Sequence, residues 1–325
     1  MKVLVTGGLG FIGSHTVVEL QNEGFEVIII DNLSNTSLSV LDGIQNITGK
    51  VPAFEQLDLR DKNKVQDFFK RHTDIEGVIH FAASKAVGES VGNPLLYYEN
   101  NINVLVYILQ ELEKKHTANL IFSSSCTVYG QAEKMPITED SSVQTAMSPY
   151  GNTKQIGEEI IIDAAKASSI NAILLRYFNP IGSHPSAEIG ELPLGVPQNL
   201  VPFITQTGIG LRQELSVYGD DYPTPDGTAI RDYIHVVDLA KAHVIAMQRL
   251  LNKKNQDKVE TFNLGTGTGS SVLEVIHAFE KVSGQKLPYK IVARREGDIT
   301  EAYANTHKAN TILGWKAQST LEEAM

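Results

Sequence analysis

The sequence predicts an α/β fold, a doubly wound parallel sheet joined to a smaller, interleaved α/β domain. Three observations lead there. Short, continuously apolar runs alternate with helix-spaced segments through the first half of the 325-residue chain. That alternation is the signature of a parallel sheet covered on both faces. A glycine-rich turn, Gly7-x-x-Gly10-x-x-Gly13, joins the first apolar run to the first helical one. Beyond Asn179 the pattern gives way to a stretch rich in Gly and Pro (180–227), before a strand-then-helix pattern returns at 232–251.

Taken in order, residues 3–6 predict a strand. Residues 12–22 predict a helix with Ile12, Thr16, Val17 and Leu20 on one side. Residues 25–31 form the next strand, with four consecutive β-branched residues from Val27 to Ile30. A third strand is expected at 54–59, a helix at 62–71 and a fourth strand at 77–83. One long helix is expected over 94–114, with Pro94 suited to its first turn. A strand at 120–124, a helix at 149–167 and a strand at 172–179 complete the first half. Residues 260–264 read as one more strand, 271–282 as a helix, and the tail as irregular. The implied division is a Rossmann-type dinucleotide domain over 1–179, with 232–264 returning to it. A substrate domain is then built from 180–231 and 265–325.

Composition narrows the function. The chain is 42% hydrophobic and 20% charged, ordinary for a globular enzyme. Its net charge of -10 speaks against a nucleic-acid or anionic-membrane surface. A single cysteine, Cys126, allows no intrachain disulfide and fits a reducing compartment, hence a cytoplasmic location. The N-terminus enters a strand without a secretory signal pattern, and no apolar stretch approaches the roughly 20 residues of a membrane span. The nine histidines form no metal-spaced cluster, so no metal is expected.

The glycine turn carries the first piece of chemistry. Glycine permits the tight turn and the close backbone approach, and the helix that follows offers free N–H groups and a positive dipole end to a pyrophosphate. Asp31 closes the second strand 18 residues after Gly13, near the spacing at which a carboxylate takes the adenosine ribose hydroxyls. A carboxylate there repels a 2′-phosphate, so NAD rather than NADP is expected. Asp58, at the end of the third predicted strand, is either an acceptor for the adenine amino group or a turn residue.

The second piece is catalytic. Tyr150 and Lys154, in Ser148-Pro149-Tyr150-Gly151-Asn152-Thr153-Lys154, stand at i and i+4 on one helix face. Ser125 ends an apolar strand 25 residues upstream of the tyrosine, where ligands of open α/β sheets bind. Tyrosine ordinarily titrates near 10 and is a poor base at neutral pH. A lysine ammonium and an oxidised nicotinamide close by would lower that value, and the serine hydroxyl could share the substrate's proton.

These segments are joined by Asp31-Asn32-Leu33-Ser34-Asn35, Lys85-Ala86-Val87-Gly88-Glu89-Ser90, Tyr177-Phe178-Asn179-Pro180-Ile181-Gly182, Pro197-Gln198-Asn199-Leu200, Arg231-Asp232-Tyr233-Ile234-His235-Val236 and 294–298. Over essentially the whole chain they resemble the extended branch of the short-chain dehydrogenase/reductase superfamily, and within it the UDP-glucose 4-epimerase family. The resemblance implies that Phe11 and Ile12 line the pyrophosphate turn, and that Asn32, Ser34, Asn35 and Thr36 join Asp31 on the adenosine ribose. Leu59 flanks the adenine with Asp58. Phe81, Ala82 and Ala83 lie along the cofactor, Lys85 reaches the nicotinamide ribose, and Asn100 and Phe178 complete the nicotinamide end. Asn179, Asn199, Arg231, Arg295 and Asp298 match nucleotide-sugar contacts, shared with Lys85, Ser125 and Tyr150.

The implied activity is NAD-dependent C4 epimerisation of UDP-hexoses through a transient 4-keto sugar. Dehydratases of the superfamily place an Asp–Glu pair after the serine or threonine, because eliminating water needs another acid/base pair. Here those positions are Cys126 and Thr127, so elimination lacks its catalyst. Decarboxylase-like members carry a glutamate there, and a net dehydrogenase would need a cysteine placed for a thioester. Ala302 aligns with the position bordering the hexose 2-substituent, where a small residue admits an N-acetyl group. UDP-GlcNAc and UDP-GalNAc are therefore expected substrates beside UDP-glucose and UDP-galactose. The alternatives are a UDP-glucuronate 4-epimerase and an inactive NAD-sensing protein, the latter opposed by the intact Ser125, Tyr150 and Lys154. In the family, helices matching 94–114 and 149–167 form a four-helix dimer interface, so a homodimer is expected.

Overall fold

The computed structural model describes residues 1–115, 118–295 and 298–325. In chain order, β1 (Lys2–Thr6), α1 (Phe11–Asn22), β2 (Glu26–Asp31), α2 (Ser39–Thr48), β3 (Ala53–Gln56), α3 (Lys62–Arg71) and β4 (Ile75–His80) open the fold. Next come α4 (Val87–Gly92), α5 (Pro94–Tyr98), a π-turn at Glu99–Asn103, α6 (Val104–Glu113), β5 (Ala118–Ser125), α7 (Pro149–Ala167) and β6 (Ile170–Tyr177). The second half contains β7 (Asn179–Ile181), α8 (Leu200–Gly208), β8 (Leu215–Tyr218), β9 (Ile230–Arg231), β10 (Tyr233–His235), α9 (Val236–Leu251) and β11 (Val259–Leu264). It ends with β12 (Ser270–Ser271), α10 (Val272–Ser283), β13 (Tyr289–Val292) and β14 (Glu301–Ala302).

Seven strands form one parallel sheet in the order β11-β6-β5-β4-β1-β2-β3. Alternate side chains of each strand enter different cores, which is why the runs are apolar throughout. Val3, Val5, Val27, Ile29 and Ile121 join α1 and α9 on one face. Leu4, Ile28, Ile30, Leu120 and Phe122 join α3, α6 and α7 on the other. The strand order reverses direction between β1 and β4. The crevice past their C-terminal ends is where open α/β sheets bind ligands.

The second half builds smaller pieces around a third core of Ile181, Val201, Ile204, Val217, Val275, Ile276 and Phe279. Strands β8 and β13 pair in parallel, β7 pairs with β10, and β9 lies between β12 and β14. The chain then runs through α9 back onto the large sheet, where β11 pairs with β6.

Three expectations need correction. The third strand stops at Gln56 rather than 59, because the bond from Leu57 to the Asp31 carbonyl is the last its partner β2 can offer and Asp58 begins a turn closed by Arg60. The long helix is interrupted by the π-turn at Glu99–Asn103, a distortion that periodicity does not reveal. The tail is not irregular: β13 and β14 are short strands whose partners lie over 60 residues earlier in the chain.

Candidate active site

The glycine turn makes a close-fitting cradle. Gly7 has φ of +67°, and a Cβ there would stand 2.8 Å from the Ala82 nitrogen. A Cβ on Gly13 would meet the Gly7 carbonyl oxygen at 2.2 Å. The Gly10 nitrogen donates to that carbonyl at 3.1 Å. Helix α1 has Gly10 as its N-cap, with no side-chain cap and no acidic residue in its first turn. Its positive end is thus open to an anion, as a pyrophosphate requires. Phe11 and Ile12 are the first two residues of that helix, and Phe81, Ala82 and Ala83 follow β4 on the other side of the turn.

Asp31 is buried, and its carboxylate ties the turn to the loop after β2. It accepts from the Leu9 nitrogen at 3.2 Å and the Leu33 nitrogen at 2.9 Å. Burial pushes its carboxyl up, while those backbone N–H groups pull it back. Thr36 donates to the Leu9 carbonyl at 2.7 Å, and Asn32 accepts from the Ser34 nitrogen at 3.0 Å, so the 31–36 loop folds against the cradle. Asn35 is exposed in the same loop and Leu59 is buried. Asp58 is engaged by Arg60, whose Nη2 donates at 2.6 Å, and this pairing holds its carboxyl below the usual range. That leaves Asp58 less free for an adenine than a bare strand-end acid.

The trio that the sequence predicts to be catalytic comes from the end of β5 and the first turns of α7. Ser148 caps α7, accepting from the Gly151 nitrogen at 3.1 Å, and Pro149 takes the first turn. Tyr150 and Lys154 follow one turn apart, and the Lys154 ammonium sits 5.8 Å from the Tyr150 ring centre. Lys154 is buried and donates to the Ser123 carbonyl at 2.6 Å. Ser125 accepts from the Thr127 nitrogen at 3.2 Å. Burial pushes the Tyr150 phenol up to about 12, with a hydrogen bond to Ser125 drawing it part of the way back. Burial draws the Lys154 ammonium down to about 8, and the charge of Glu158 holds it up.

The sequence led us to expect a phenol made more acidic by two nearby positive charges, a lysine ammonium and an oxidised nicotinamide; burial acts in the opposite direction, and the Lys154 ammonium lies where it can offset it.

At the far end of the cleft, Arg231 pairs with Asp298 and donates to the Ile230 carbonyl at 2.8 Å. The Arg295 guanidinium lies 4.0 Å over the Tyr218 ring. Asn179 starts β7, and Phe178 is buried beside it. Lys85 and Asn199, far apart in sequence, both donate to Glu191, at 3.0 and 3.1 Å. Ala302 is buried among Val128, Tyr129, Ile137, Phe178 and Ala304, with Cys126 packed against the same cluster. Burial pushes the Cys126 thiol up to about 12, which makes it a poor nucleophile.

Asn100, expected at the nicotinamide end, donates to the Ser84 hydroxyl at 2.9 Å, while the roles of several residues around it were not read from the sequence. Its neighbour Asn101, from the π-turn, donates to Thr153 at 3.0 Å and accepts from the Ser84 nitrogen at 2.8 Å. It thereby pins the loop carrying Lys85 to the helix carrying Tyr150. Tyr97 holds the same loop through the Ala86 backbone and Glu89. The Thr127 hydroxyl is buried beside Ser125 without a hydrogen-bond partner among the described residues. Asp232, fully buried, accepts from Thr266, Gly267 and Ala304, so in the motif 231–236 it is a structural hub rather than a ligand contact.

Comparison with known proteins agrees with this geometry. A family model described as GDP-mannose 4,6 dehydratase matches residues 4–325. The chain is 51% identical to the UDP-glucose 4-epimerase of Bacillus subtilis, covering 99% of this chain and 94% of that one. Among solved structures, the UDP-glucose 4-epimerase of Stenotrophomonas maltophila, with bound NAD and formylated UDP-arabinopyranose, superposes with a TM-score of 0.95 at 48% identity, covering 100% of this chain and 95% of that one. The enzyme of Bifidobacterium longum, in complex with NAD+ and UDP, also superposes with a TM-score of 0.95, at 46% identity over 100% of this chain and 96% of that one. The chain belongs to the UDP-glucose 4-epimerase family of extended short-chain dehydrogenases/reductases.

Proposed function

We propose that this chain interconverts UDP-galactose and UDP-glucose by epimerisation at C4 with a resident NAD. The observation that carries it is the convergence of Ser125, Tyr150 and Lys154 beside the Gly7–Gly13 cradle, at the sheet's strand ends. Tyr150, as phenolate, takes the proton of the sugar 4-hydroxyl and later returns it. Lys154 favours the phenolate electrostatically, and Ser125 hydrogen-bonds the same oxygen. Bound NAD supplies the hydride acceptor at C4 and gives the hydride back to the other face of the 4-keto sugar. Arg231, Arg295, Asn179, Asn199 and Asp298 hold the nucleotide end while the hexose turns over. Cys126 and Thr127 offer no acid pair after Ser125, so the keto sugar is not dehydrated.

The cofactor is held by the open end of α1, with Asp31, Asn32, Ser34, Asn35 and Thr36 toward the ribose. Phe81, Ala82, Ala83, Lys85, Asn100 and Phe178 lie toward the nicotinamide. The dinucleotide domain spans 1–179 with 232–264, and 180–231 with 265–325 hold the UDP-sugar. The small, buried Ala302 supports acceptance of N-acetylhexosamines. The protein acts as a cytoplasmic homodimer through α5–α6 and α7; support comes from apolar side chains left uncovered at α5, where Leu95 is 80% exposed. Among the described residues no helix is long and apolar enough to cross a membrane.

The test is a coupled assay of purified protein on UDP-galactose, UDP-GalNAc and UDP-galacturonate. Turnover of the first two is expected. A preparation that neither contains nor takes up NAD and leaves UDP-galactose unchanged overturns the reading. Turnover of the acidic sugar alone replaces it with a UDP-glucuronate 4-epimerase.

A further inference from the structure

We propose that Glu158, gripped by Arg176, is a positioning residue for the catalytic trio, setting the end of β5 through Ser124 and facing Lys154 with its counter-charge. This deepens the epimerase reading and rests on it. Tyr150, Lys154 and Glu158 recur every four residues along α7, so they share one stripe of the helix. Glu158 is 4% exposed, Arg176 7% and Ser124 0%. Arg176 grips the carboxylate in a fork, with Nε at 2.9 Å and Nη2 on the other oxygen. The same Glu158 oxygen that takes Nε also accepts the Ser124 hydroxyl.

Ser124 lies between the two residues the chemistry needs. The Ser123 carbonyl fixes the Lys154 ammonium, and Ser125 faces Tyr150. A shift of the β5 end would therefore move both catalytic partners together. Behind the pair, Arg176 Nη1 donates to the Tyr129 hydroxyl at 2.9 Å, and Tyr129 donates to Asn263 on β11 at 2.6 Å. The grip is thus anchored across β6 and β11. A buried ion pair rarely stabilises more than apolar packing would. A carboxylate bonded to the residue beside Ser125 gives this one a functional reason.

The charge arm has a sign. The groups facing Lys154 are Tyr150 and Glu158 from its own helix, the Ser123 carbonyl and Phe122 ring from β5, and His80 from β4. Tyr177 on β6 faces Tyr150. His80 is held neutral by burial. Arg176 lies behind Glu158 and is paired with it. Glu158 therefore keeps the ammonium charged against desolvation, and its removal makes Lys154 lose its proton at lower pH.

Two variants test this on the NAD-loaded enzyme. Ser124→Ala removes one hydroxyl and no charge. Its kcat on UDP-galactose should fall roughly 10- to 100-fold, the cost of misplacing a reacting group by about an ångström, with KM and NAD content unchanged. Glu158→Gln should lower kcat similarly and move the alkaline limb of its pH profile to lower pH. A wild-type kcat in Ser124→Ala, or an unmoved alkaline limb in folded Glu158→Gln, overturns the proposal. If Glu158→Gln does not fold, Ser124→Ala decides alone. A wild-type protein idle on UDP-galactose overturns the epimerase reading instead.

Discussion

Replacing Lys154 by Met removes the buried ammonium while keeping most of the side-chain volume. The lost interaction can be sized from the structure. At 5.8 Å from the Tyr150 ring centre, and with an effective dielectric constant of about 20, the attraction to a phenolate is about 3 kcal/mol. That corresponds to about two pKa units, or about 100-fold in the phenolate population at neutral pH. In Lys154→Met, kcat for UDP-galactose at pH 7 should therefore fall about 100-fold, with KM little changed. The effect has a pH signature. The ammonium is present below about 8 and is lost as pH rises through that value. The gap between wild type and variant should therefore narrow above pH 8, and the wild-type alkaline limb near 8 should vanish in the variant. Stopped assays from pH 6 to 10 with added NAD, coupled to UDP-glucose oxidation, measure this. A loss of only a few-fold, or a loss equal at every pH, would refute an electrostatic role for Lys154.

Three further outcomes follow from other parts of the site. Ala302→Tyr places an aromatic in the buried cluster around Phe178 and Tyr129; kcat/KM for UDP-GalNAc should collapse while UDP-galactose turnover survives, and equal losses on both sugars would remove Ala302 from the specificity determinants. Gly13→Ala forces a Cβ to within 2.2 Å of the Gly7 carbonyl oxygen, a backbone clash that overpacking series put at about 1–3 kcal/mol; thermal melting should drop and NAD should be lost on gel filtration, whereas a wild-type melt with full NAD content would contradict the cradle. Glu191 occupies both Lys85 and Asn199, so on the proposed function a nucleotide diphosphate reaching them displaces a carboxylate; Glu191→Gln should bind UDP about two- to fivefold more tightly, the range of a partly exposed ion pair, and uridine equally, and calorimetry showing no difference for UDP would reject that competition.

What the sequence determined by itself was local. The β-branched run at Val27–Ile30 and its apolar counterparts mark the strands, because a strand buried on both faces has no polar side to show. The glycine spacing marks the cradle, since only a residue without Cβ tolerates those approaches. Tyr150 and Lys154 share a helix face by counting alone. The tertiary structure decided whatever depends on contacts between distant segments and on desolvation. The placing of β1 beside β4 brings Ala82 against Gly7, and the π-turn turns Asn101 toward Thr153. Strands β13 and β14 exist because of partners far back in the chain, not because of their own residues. The Tyr150 and Lys154 acidities are set by burial, which no spacing rule contains. A pattern of residues records the geometry of one helix or one strand. The free energy of a charge depends on everything folded around it.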